Sequence, residues 1–115
     1  MKSYNGFTPE QRQRGGELIK KATADGILPP LNTQPCVICG QDKGIRHYHC
    51  EDYSEENVVA DARVVCWQCH MMIHTRFAHP QSFARYMLNV VLYGKRFGPV
   101  YRPNDWAKLN QHYID

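Results

Sequence analysis

Two identical brackets, Cys36-Val-Ile-Cys39 and Cys66-Trp-Gln-Cys69, constrain this chain more than any other feature. Each bracket presents two thiols on one side of whatever it holds. Two such knuckles in a short chain with reduced cysteines read as one tetrahedral zinc site. The other reading of the same residues is a pair of disulfides in a secreted protein. The opening MKSYNGFTPEQ has no apolar signal-peptide core, and the longest apolar runs are only a few residues. A cytosolic setting and no membrane span are therefore expected, and cytosolic thiols stay reduced. Cys50 is the odd cysteine.

A chain of 115 residues is expected to form one domain, 1–115, with a modest core that benefits from a staple such as a metal. The net charge is +3, unevenly placed. Residues 51–61 carry five of the eleven acidic residues, and residues 62–115 carry seven Arg or Lys against Asp105 and Asp115. A basic C-terminal half can meet phosphates, and it can equally be a solvated helical face.

Thr8-Pro9-Glu10-Gln11 predicts a helix start, with Thr8 as cap, Pro9 in the first turn and Gln11 closing a capping box. The helical unit spans 8–26 and ends at Asp25-Gly26, and Gly15-Gly16 weakens it or marks a close approach to another backbone. Prolines 29, 30 and 35 make 28–35 an extended connector. GIRHYH (44–49) and ARVVCW (62–67) read as strands. CHMMIHTRF (69–77) has a helical rhythm, with Cys66, Cys69, Ile73 and Phe77 on one stripe and His70 and His74 as an i, i+4 pair beside it. From Pro80 to Gly94, Phe83, Tyr86, Met87, Val90 and Val91 fill the amphipathic template, as core or as the interface of a homodimer. A last helix is expected over 105–113, so that 80–115 forms a helical extension.

The stretch between the knuckles, HYHCEDYSEE (47–56), is dense in ligand-type side chains. The whole order CVICG…GIRHYHCEDYS…VVCWQCHMMIH resembles the zinc-stapled phage and prophage form of the HNH (ββα-metal) endonuclease family. The shared pattern is C-x-x-C-G, then H-H-x-D-Y-S, then C-x-x-C-H-x-x-x-H, and it covers about residues 36–74. The resemblance implies a small zinc-stabilised α+β fold. Its ββα-metal core (36–75) would be flanked by the N-terminal helix and two C-terminal helices. It implies structural Zn2+ on Cys36, Cys39, Cys66 and Cys69. It also implies a second divalent ion, Mg2+ or similar, held by His49, His70 and His74, which would hydrolyse DNA in the cytoplasm of a bacterial or phage-infected cell.

Cys50 departs from the pattern, because it stands where the second histidine of the pair, the general base, is expected. A thiol with an ordinary pKa near about 8.5 shuttles a water proton poorly and prefers zinc to magnesium. Cys50 therefore remains one candidate catalytic residue beside His49 and His70. The alternatives are that His49 or His47 is the base, that Cys50 joins a second zinc site, or that catalysis is lost. In the last case the scaffold would serve as a binding or inhibitory module for nucleic acid or a protein. Arg76, Lys95, Arg96 and Arg102 are the candidate phosphate contacts.

Overall fold

The computed structural model describes residues 2–96 and 98–102, so the helix expected over 105–113 lies outside the described residues. Helix α1 runs Pro9–Ala24 and begins as its sequence predicts: Thr8 and Gln11 form a reciprocal capping box, with Pro9 in the first turn. It ends at Asp25, and Gly26 takes the left-handed φ of +77° that a side chain would resist. The connector differs from its extended expectation, since Leu31–Thr33 form a single 3-10 turn. Pro30 accepts both the Thr33 amide (3.0 Å) and the Thr33 hydroxyl (2.7 Å) through its carbonyl. Proline forbids a helix interior but leaves its own carbonyl free to open a turn.

Strands β1 (Arg46–His49) and β2 (Arg63–Cys66) pair antiparallel, from Arg46 opposite Cys66 to His49 opposite Arg63. Between them the chain forms a four-residue helix, α2 (Val58–Asp61). Val58, 0% exposed, anchors it against Cys50 and Ala62. The acidic residues here organise backbone. Asp61 accepts the amides of Glu51 (2.6 Å) and Asp52 (2.9 Å), and Asp52 accepts the amide of Ser54 (2.8 Å) and the side-chain amide of Asn57 (3.1 Å).

β2 passes directly into helix α3 (Trp67–Thr75), because Cys66 serves as its N-cap and its Sγ accepts the Cys69 amide. The helix therefore begins two residues early and stops before Phe77, whose side chain is 66% exposed and leaves the expected stripe. Helix α4 (Pro80–Tyr93) ends at Gly94 with φ +61°. Tyr86 and Val90 are buried and Phe83 and Met87 pack against them, but Val91 is 69% exposed and does not belong to the core. The five-residue stripe is wider than the face that α3 covers.

Two apolar clusters result. One surrounds the knuckles: Cys36, Val65, Cys66, Cys69, Met72, Tyr86 and Val90. The other lies under α1: Cys50, Val58 and Ala62, with Leu18, Ile19 and Tyr53 packed on it. Each large apolar side chain buried there contributes about 1.5–3 kcal/mol. Gly15 lets α1 approach this second cluster, since a Cβ there would meet Tyr53 Cδ1 at 2.9 Å and Val58 Cγ2 at 3.1 Å. Gly16 has no such reason, with nothing within 4 Å of a Cβ, although a mid-helix glycine costs about 1 kcal/mol against alanine.

Candidate metal centres

The four knuckle thiols converge, with all four sulfurs within 4.8 Å of one another. None is in a disulfide, and Cys39 Sγ lies 3.6 Å from Cys66 Sγ. A disulfide would need about 2.05 Å. Four sulfurs at about 2.3 Å from a tetrahedral zinc stand about 3.8 Å apart, so this spacing fits the ion. The local fold supports thiolates. The Ile38 amide points at Cys36 Sγ (3.4 Å), the Cys69 amide at Cys66 Sγ (3.5 Å), and the Tyr86 hydroxyl lies 2.7 Å from Cys69 Sγ. Gly40, at φ +79°, closes the first knuckle turn and donates to the Cys36 carbonyl (2.9 Å).

Electrostatically the first knuckle, Cys36 and Cys39, gives up protons readily and the second, Cys66 and Cys69, resists. Hydrogen bonds from Cys39, Cys66 and Cys69 push the Cys36 thiol far down. Cys36 in turn pushes Cys66 and Cys69 far up. A divalent cation among the sulfurs removes that repulsion and lets all four ionise. Tyr86 is driven upward by burial and so keeps its proton as a donor.

A second group forms around α3. His49 at the end of β1 and His70 and His74 of α3 each offer one ring nitrogen, and the three lie within 4.8 Å of one another. His70 is central: its Nε2 is 2.9 Å from His74 Nε2 and its Nδ1 is 3.0 Å from His47 Nδ1. Burial is the main force on these rings. It pushes His70 down to about 3 and His74 down to about 4, each helped by its charged neighbours, and it lowers His47 as well. The rings of His47, His70 and His74 are therefore neutral at pH 7, the state a metal requires.

His49 is 6% exposed and held by a polar network of Glu51, Tyr4 and Arg76. Its Nε2 meets Glu51 Oε2, which also accepts the Tyr4 hydroxyl (2.5 Å). Arg76 donates to Glu51 Oε1 (2.5 Å), to the Tyr4 oxygen (2.7 Å) and to the Ile73 carbonyl (2.7 Å). Partial burial opposes the charge on Glu51, but hydrogen bonds from Tyr4 and His49 and the Arg76 guanidinium hold its carboxyl below the usual range. Tyr4, raised to about 12 by burial and by Glu51, remains a donor. A carboxylate only accepts, so His49 carries its proton on Nε2. Its Nδ1 is buried and has no hydrogen-bond partner.

Cys50 stands apart. It is 3% exposed in the cluster with Val58 and Ala62, its Sγ 3.5 Å from the Val58 carbonyl. Burial pushes its thiol up to about 11. Cys50 is not one of the three ligand-type residues that converge, although it lines the same groove as His47 and His70. His47 and His49, two apart on β1, reach the histidine group, whereas the next residue turns into the core under α1. Arg76 is likewise not a free phosphate contact, because Glu51 and Tyr4 occupy its guanidinium. Arg96 donates to the Cys39 carbonyl (3.3 Å) and lies over Gly40. Lys95 and Arg102 are exposed.

Three supporting residues escaped the sequence reading. Glu51 had a usable signal, two residues beyond His49 in the ligand-rich stretch. Tyr86 read only as core. Tyr4 gave no signal, since its role depends on the turn Tyr4–Phe7 folding its ring to within 4.7 Å of the His74 ring.

Compared with models of known families, with curated proteins and with solved structures, the chain matches none of them. Its own geometry carries a coarser statement: a small α+β protein with a β-hairpin, helices, and Cys and His groups able to hold metal. Among the described residues, no helix is long and apolar enough to cross a membrane.

Proposed function

We propose that this chain is an HNH-like nuclease that hydrolyses DNA phosphodiester bonds, with zinc on Cys36, Cys39, Cys66 and Cys69 as its staple. The observation that carries the reading is the convergence of His49, His70 and His74 into a group separate from the four thiols. A structural zinc alone would not need it. Three imidazoles without a carboxylate suit zinc, nickel or cobalt better than the Mg2+ that the resemblance suggests. When bound there, such an ion supplies Lewis acidity toward a phosphate oxygen.

The chain's own residues supply the rest. His49 is held by Glu51 through Nε2, which leaves Nδ1 as its unpartnered ring nitrogen. His74 and His70 lie one helical turn apart and stay neutral. His47 is the candidate proton acceptor in place of Cys50: half-buried, neutral at pH 7, and 3.0 Å from His70. Lys95 and Arg102 are candidate contacts for backbone phosphates.

Conversion of supercoiled plasmid to the nicked form tests this. Nicking that depends on an added divalent ion and is lost in His70→Ala, with one zinc retained per chain, is the expected result. Unchanged nicking in His70→Ala, or none with any divalent ion, overturns it.

A second reading has one observation in its favour: the position that the resemblance assigns to the base is the buried Cys50. The chain would then be a non-catalytic zinc module binding nucleic acid or a protein. A metal count of one zinc, with no exchangeable second ion, is its expected signature.

A further inference from the structure

An open groove of about 330 Å3 lies between α1 and the hairpin and ends at the histidines. Arg12, Gly16 and Lys20 contribute to it from α1, His47 from β1 and His70 from α3. The three α1 residues are spaced by four, so they share one face of the helix. Two of them are cations and no carboxylate lines the groove. Arg12 bonds the Lys2 carbonyl through one terminal nitrogen (2.7 Å), but its Nε has no partner. Among the described residues Lys20 forms no ion pair. The half-buried rings of Tyr48 and Tyr53, with Ile19, Leu31 and Cys50, form its apolar wall.

Gly16 is the feature the fold does not explain. It sits in the middle of a helix, where glycine is a poor choice, and a Cβ there would meet nothing. Gly15 beside it is required by Tyr53 and Val58. What a side chain at 16 would do is fill the groove.

We infer that this groove binds a single strand of DNA and delivers its phosphodiester to the histidines. The inference rests on the nuclease reading for the strand's role as substrate. A positive channel with aromatic walls is the usual construction for single strands, with phosphates on the cations and bases against the rings. The volume falls at the low end of the about 300–1,000 Å3 typical of small-ligand sites, room for one nucleotide unit and not for a duplex.

The test is fluorescence anisotropy with a labelled oligothymidylate of about ten nucleotides, within the usual span of single-strand sites, against a hairpin duplex. It uses zinc-loaded full-length protein with no other divalent ion. The expected result is tighter binding of the single strand. Gly16→Leu weakens that binding about tenfold, the scale of one lost stacking contact, while its thermal midpoint rises or holds. Lys20→Glu, at an exposed position, weakens it several-fold and flattens the salt dependence. Equal binding by Gly16→Leu and wild type, or a wild-type preference for duplex, overturns the inference. Strand binding without cleavage by any metal-loaded form defeats the nuclease reading alone. Plasmid nicking that survives Gly16→Leu unchanged defeats the groove alone.

Discussion

Helix α3 supplies adjacent residues to two different groups, Cys69 to the thiols and His70 to the histidines, and the two are held by opposite means. Cys36, Cys66 and Cys69 are at most 5% exposed, and their support is mostly local, knuckle amides and a glycine turn, with Tyr86 added from α4. Of the three grouped histidines, His70 and His74 are only half-buried, and His49 is held by neighbouring Glu51, which the distant Tyr4 and Arg76 fix in turn. A closed donor set with short-range support is what a structural ion needs. A partly open set braced from afar is what a working site needs, because a ligand must enter while the rings hold still.

Breaking the closed group has the larger expected effect. Cys69→Ser, or zinc removal by a strong chelator, unfolds the chain, since binding of a structural zinc is worth about 10–16 kcal/mol in small domains and serves as folding energy. Circular dichroism and a lost thermal transition would register it; a chelated protein that keeps a cooperative midpoint would sink the staple.

The open group is expected to fail more gently. Glu51→Gln leaves zinc stoichiometry unchanged but lowers affinity for a second ion about 10–100-fold, the usual effect of losing an outer-shell partner. Cobalt titration by visible absorption reads both sites. Equal cobalt affinity at the histidine site in Glu51→Gln and wild type would show that the Tyr4–Arg76–Glu51 network does not position His49.

The smallest expected effect is acid sensitivity of the histidines. Unfolded histidines titrate near about 6.5, whereas folded His70 and His74 are held at about 3 and about 4. Between those values the unfolded chain binds more protons. The stability of the neutral pair is therefore complete above about pH 6.5 and is lost as pH falls toward the folded values. In zinc-loaded protein without a second ion, the urea midpoint should fall from about pH 7 to about pH 5.5, and fall less in His70→Gln. That range limits thiolate protonation, and the variant isolates the imidazole contribution.

Much of this contrast was legible beforehand, and unevenly. The capping box of α1, the two strands, the Gly94 stop and the convergence of the four thiols follow from spacing and short-range chemistry, so the sequence alone predicts them. The approach of His49 to His70 was suggested only through the family resemblance. The failures share a cause. Periodicity put Val91 on the apolar stripe of α4 and Phe77 on that of α3, yet both are exposed among the described residues. Cys50 looked like a site residue from its neighbours in sequence, yet a strand sends alternate residues to opposite sides.

What the sequence determined by itself is the staple: two knuckles whose ligands lie three residues apart need only a turn each and a hairpin between them. Tertiary structure decided which face of β1 meets α3, that Glu51 rather than Cys50 serves His49, and that Tyr4 and Arg76 close over them. It also left the groove beside Gly16 open. Those outcomes depend on packing between segments as far apart as residues 4 and 76, and no local pattern encodes a contact of that range.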